Sequence, residues 1–261
     1  MSELKMNTLL AKVDQEQKTA SIHQQHVVSK LKDTKSFLGE KKTYSARDGY
    51  PEDPSKMGTK QVASTVTEVL SKYIEGLSPF LKDLFSVEAT NSKGAKTVEL
   101  VVDGKSFGNL TALELMRLKG VLQGEAVNNF IPVRSDSEVW TPTTDGDYSG
   151  REVFETPMLK GVTRTTESEE YVLKDPNLDP QHIPSGYVPK TTTKKRTVEI
   201  GDYTSQKFSG EWSQKQAADV QYRKTALLTA VISALKDVND QEVEPARLKV
   251  DDLLQYMYFG K

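Results

Sequence analysis

Residues 9 to 31, LLAKVDQEQKTASIHQQHVVSKL, set a few apolar side chains into a long polar stretch. Residues 2 to 36 hold no Gly and no Pro and are rich in Lys, Gln, Glu, Ala and Leu, a composition that favours helix. The apolar positions recur every seven residues. One set is Leu10, Gln17, Gln24 and Leu31; the other is Met6, Val13, Ala20 and Val27, offset as a and d positions are in a coiled coil. Two of the four a positions are Gln, so the seam is thin. Such a helix either lies on its own domain or completes its burial against a second chain. Polar a positions lower stability but fix register and partner number.

Residues 37–60 carry Gly, Pro and charges with turn signals at Asp48-Gly49 and Pro51, the pattern of a long linker. A second helix is expected from Gln61 to Glu75, with Val62, Val66, Val69, Leu70, Tyr73 and Ile74 on one face, and further turns to about residue 86. Val87, Val98, Leu100 and Val102 alternate around turn signals at 91–94 and Asp103-Gly104 and read as a hairpin. Thr111 and Glu114 have capping-box spacing and open a helix over 111–127, in which Gly120 and Gly124 suggest close approach of a neighbour. From Ile131 to Gly210 short alternating segments rich in β-branched and aromatic residues predict strands. Ser213 and Gln216 repeat the capping box, and Val220, Leu227, Val231, Leu235 and Val238 line one face of a helix over 213–238. The aromatic-rich end, LLQYMYFGK, needs a surface to dock on.

This order predicts an α+β fold: a central twisted antiparallel sheet, flanking helices and a long N-terminal helical arm. The expected parts are an arm over 1–36, a linker over 37–60 and an α+β body over 61–261.

Composition narrows the function. The 261 residues include no Cys and three His, and the formal net charge is −2. The missing cysteines exclude disulfides, thiolate metal sites and thiol nucleophiles. The charge gives no reason to expect nucleic acid or an acidic membrane. No apolar run reaches the roughly 18 residues a membrane span needs. A cytoplasmic protein without cofactor or metal is the expectation.

Candidate chemistry is sparse. His23 and His26 share a helical face, but no third ligand accompanies them. Asp145, Asp147, Ser149 and Gly150 imitate the start of a calcium loop, yet position 12 is Thr156 where a bidentate Glu is required, so a polar turn is the plainer reading. Lys190, Lys194, Lys195 and Arg196 form a basic run that suits either phosphate contacts or a guarded β-edge. Residues 135–180 hold eleven acidic and four basic residues, a balance of −7; residues 190–207 hold five basic and two acidic, a balance of +3. No Walker loop, dinucleotide fingerprint or nucleophile elbow is present.

The segments VELVVDGKSFGNLTALELMRLKGVLQ, QKFSGEW, ALLTAVISALKDVNDQEV and VDDLLQYMYFGK, with Lys42-Thr43-Tyr44 before them, have an order and spacing of their own. The chain resembles, nearly end to end, an uncharacterised bacterial family, a domain of unknown function frequent in actinobacteria. The resemblance implies an opening helix, a hairpin and a C-terminal helical pair. It implies no active site.

The leading expectation is a non-enzymatic, self-associating scaffold with a second copy of the chain as partner. Met6, Leu10, Val13, Ala20, Val27 and Leu31 would form the contact stripe, helped by Tyr256, Tyr258 and Phe259. The alternatives are an RNA-associated factor using the basic run, which the net charge does not support, and an enzyme on a small polar substrate near the acidic region. No membrane partner is expected.

Overall fold

A computed structural model describes residues 5–172, 188, 190–240, 253 and 257. Helices and antiparallel sheets make up an α+β fold with a helix at its N-terminal end. The chain divides into two compact units, residues 1–23, 75–129 and 218–261, and residues 24–74 and 130–217. Three helices have residues in both: α1 (Met6–Lys32), α2 (Val66–Asn91) and a late helix, Gln214–Val238.

In the first unit the early turns of α1 pack on the late turns of α2. Leu9, Val13 and Val87 are buried together, with Met6, Phe80 and Leu84 against them. Lys12 Nζ reaches Asp83 at 2.5 Å. His23 lies over Gly76, and a Cβ there would fall 2.5 Å from the His23 Nε2, so the bare glycine sets how closely the helices approach. The hairpin joins two strands around the left-handed pair Asp103 and Gly104. Its second strand ends on Thr111, whose side chain accepts from Glu114 N while Glu114 returns a bond to the Thr111 amide. That capping box starts a helix over Ala112–Gly124, as its spacing predicts. Leu100, Leu115, Val231, Ala234 and Val238 form this unit's main core.

The second unit is built on a mixed-length antiparallel sheet. In chain order its strands are β1 (Leu38–Ala46), β2 (Gly58–Lys60) and, after the hairpin strands β3 (Thr97–Val102) and β4 (Lys105–Thr111) of the first unit, β5 (Thr141–Pro142), β6 (Phe154–Glu155), β7 (Leu159–Val172) and β8 (Thr191–Ser209). The order across the sheet is β2-β1-β8-β6-β5, with β7 also on β8. Val62, Tyr148, Val153 and Phe208 bury one another, and Leu31 and Phe37 are fully enclosed. The Tyr44 ring covers Gly201 and the Tyr203 ring covers Gly161. Several enclosed polar groups of this unit find partners. Trp212 Nε1 donates to Thr67 Oγ1 at 2.9 Å, Gln216 Nε2 to Glu152 at 2.7 Å, and Arg134 to the Glu211 carbonyl at 2.9 Å.

Several expectations change. Residues 38–46, read as linker, are a strand. LGEKKTYSA has no apolar alternation, and its place comes from its register with β8, Leu38 opposite Ser209 through Ala46 opposite Gly201. The second helix starts at Val66 rather than Gln61, because Thr65 and Glu68 form a capping box of their own: each side chain takes the other's amide. It then runs through Gly76 and Pro79 to Asn91, so Val87 is a helix residue and not part of the hairpin. A Cβ on Gly120 or Gly124 would meet nothing within 4 Å, so neither is a point of close approach. No helix among the described residues is long and apolar enough to cross a membrane.

Candidate functional site

The proposed contact stripe of α1 is mostly covered by its own chain. Val13, Ala20 and Val27 are buried, Leu31 is 1% exposed and Met6 is half-buried. Leu10 stands out at 45% exposed. The burial that the sequence left to a second copy is therefore supplied within the chain. For the early part of the stripe the cover comes from α2, whose Phe80, Leu84 and Val87 pack on Met6, Leu9 and Val13. Tyr256, Tyr258 and Phe259 lie outside the described residues.

A long exposed element is formed by the far part of β7 and β8. The two strands pair from Leu159↔Ser205 to Val172↔Thr191. On its other side β8 is held by β1, but only from Gly201 to Ser209. Beyond that point the pair continues alone as a two-stranded ribbon, and both its edges lack a neighbouring strand among the described residues. A bulge between Thr163 and Arg164, opposite Ile200, marks where it leaves the sheet. At its root Glu199 accepts from Arg164 at 3.0 Å and from Arg47, which also reaches Asp202 at 3.1 Å. Arg164 and Arg47 hold the Glu199 carboxyl below its ordinary range. Tyr50 donates to Glu167 at 2.7 Å, which raises the Tyr50 hydroxyl.

Along the ribbon the charges separate by strand. β7 carries Glu167, Glu169 and Glu170; β8 carries Lys194, Lys195 and Arg196. Glu167 is opposite Arg196 and Glu169 is opposite Lys194, while Lys195 faces Ser168. Opposite charges across an antiparallel pair stabilise it by a few tenths of a kcal/mol up to about 1 kcal/mol. The glutamates also accept hydroxyls, from Tyr171 onto Glu169 and from Thr191 onto Glu170 at 2.9 Å. The basic run picked out in sequence is thus half of a mixed ladder. A nucleic-acid phosphate approaching Lys194 or Arg196 meets a glutamate beside each.

A second feature is an open cleft of about 560 Å³ in the second unit, lined in part by Glu40, Lys60, Glu138, Trp140, Lys207 and Glu211. Its carboxylates are engaged separately. Glu138 pairs with Lys207, and Glu40 with Lys42 at 2.8 Å. Burial pushes the Glu211 carboxyl above its ordinary range, against the Ser209 hydroxyl and Arg134, which favour its ionised form. No three His, Cys, Asp or Glu among the described residues are placed to hold a metal. Asp145 caps a short turn by accepting from the Asp147 amide, and lies 3.6 Å from Lys41, so the calcium-like run serves as a turn. His23 is occupied against Gly76, and His26 is exposed.

The sequence named the basic half of the ribbon and missed the acidic half. The signal was present: an acidic balance and a basic balance on either side of one turn region are what a charge-paired hairpin looks like when read along the chain.

No curated protein and no solved structure is detectably similar to this chain. The model of one family matches residues 3–259, which is nearly the whole length. The protein belongs to a family of unknown function, DUF7873.

Proposed function

We propose that this protein is a non-enzymatic scaffold that associates with copies of itself, and that the β7–β8 ribbon is its contact element. One observation carries the reading. A two-stranded ribbon leaves a row of backbone N–H and C=O groups free on each side, and such edges are templates for pairing with another chain. An isolated hairpin is only marginally stable in water, and the ribbon gains most from a neighbour that extends it. The α1 helix, whose stripe suggested assembly in sequence, becomes a structural element of each copy. The cytoplasm is the proposed compartment, and a bacterial, actinobacterial setting follows the resemblance of the sequence segments.

The test removes the ribbon and keeps the units. Replacing residues 166–197 with Asn-Gly joins the facing residues Thr165 and Val198 through a two-residue turn. The full chain is expected to scatter light with a mass well above 29.1 kDa, rising with concentration, and the shortened chain as a single folded copy. A full chain that stays at one copy at every concentration would overturn the reading.

A further inference from the structure

We infer that the two edges of the ribbon are partners for each other: the β7 edge of one copy pairs with the β8 edge of the next, in a head-to-tail repeat. This rests on the self-association proposed above and adds its direction and register. The first observation is the division of charge. Residues 166–172 read TESEEYV, three acids and no base; residues 191–198 read TTTKKRTV, three bases and no acid. All of Lys194, Lys195, Arg196, Glu169 and Glu170 are exposed.

Lysines on a lone edge normally keep other strands away. Here they act selectively. Joining two β7 edges sets glutamate against glutamate, and joining two β8 edges sets cation against cation. Both symmetric pairings are penalised, and the mixed pairing alone is attractive.

The second observation is direction. β7 and β8 run antiparallel. A copy displaced sideways without rotation therefore presents its β8 antiparallel to the first copy's β7, so the ladder type continues unbroken. With the register unchanged, Glu167 lies between two Arg196 side chains and Glu169 between two Lys194 side chains, one of each from its own copy. Ser168 lies between two Lys195 residues, with Glu170 on the diagonal, still within reach.

The third observation is the stop. β1 occupies the β8 edge from Gly201 onward, so an incoming β7 can use only Thr191 to Val198. That is an edge of about eight residues, about 26 Å long at the usual strand rise. Each contact is small and largely electrostatic, so assembly depends on concentration and weakens with salt. A contact between two different edges does not close on itself in a pair. It generates rings or filaments.

The experiment reverses both edges at once. The variant Glu167→Lys, Glu169→Lys, Glu170→Lys, Lys194→Glu, Lys195→Glu, Arg196→Glu keeps every opposite-charge pair inside its own ribbon. It is expected to assemble with itself as the parent does, by sedimentation velocity. The two half-variants, with only the three Glu or only the three basic residues reversed, are each expected to lose assembly and to recover it when mixed. Failure of the six-fold variant to assemble with itself, or undiminished assembly of a half-variant, would overturn the edge pairing while leaving self-association standing. A parent that never assembles overturns both.

Discussion

Two elongated, polar elements of this protein meet opposite fates. The α1 helix and the β7–β8 ribbon are both rich in charge and poor in large apolar side chains. The helix bonds its backbone internally, so one narrow stripe is enough to hold it, and its own chain covers Val13, Ala20, Val27 and Leu31. The ribbon has no such economy. Among the described residues, each strand has a neighbouring strand on one side only beyond Gly201. Weak amphipathicity thus does not separate the two elements; where their backbone bonds go does.

The sharpest way to break this contrast is to cut the helix stripe. Leu31→Ala removes a side chain that is almost wholly enclosed, and should lower unfolding free energy by about 2–5 kcal/mol in urea titrations. The folded fraction should still assemble. A cost near zero would mean that the chain does not hold α1, and the contrast would collapse.

Next in size is the helix crossing in the first unit. Gly76→Val drives a side chain into the His23 ring and should cost about 1–3 kcal/mol. In a His23→Ala background the same change should cost clearly less, because the obstructing ring is gone. Equal costs in the two backgrounds would deny the contact.

Smaller again are the caps. Thr65→Ala and Thr111→Ala each remove an acceptor for a helix amide, and each should cost about 1 kcal/mol by thermal or denaturant unfolding. Neither should change the mass of the assembly.

The smallest effect separates a buried carboxyl of the cleft from one at the ribbon root by pH. Glu211 is buried and its folded pKa is raised, so the folded chain holds that proton more tightly than the unfolded one. Its contribution falls as pH rises from the ordinary carboxylate value through the raised one. Glu199, at the ribbon root, is held low by Arg164 and Arg47; its contribution is present above the ordinary value and fades as pH drops toward the folded one. Glu211→Gln should flatten the first slope, read in stability above the ordinary carboxylate value, and Glu199→Gln the second, read below it. An unchanged profile in the Glu211 variant would remove burial as the cause.

Much of this was legible in the chain. The two capping boxes at Thr111 and Ser213 appear where their spacing placed them, and the apolar face of 213–238 gave Val231 and Val238 as core. The fold class followed from element order. What escaped was set by distant partners. β1 has no periodicity of its own and exists because β8 offers it a matching edge. Proline ordinarily ends or kinks a helix, yet α2 carries Pro79 inside it with apolar residues continuing on both sides. The ribbon was divided into short strands because its charges conceal the alternation, and because pairing between residues 167 and 196 is not a local property.

The ribbon's geometry also has a bearing on curvature. Neighbouring strands in a sheet are rotated against one another by about 20–25°, always in the same sense. In the proposed repeat of two strands per copy, each molecule would turn by about 45° from the last, so roughly eight copies would complete one revolution. On the proposed pairing a straight row would be excluded, and the row of copies would coil with a handedness dictated by the chirality of L-amino acids.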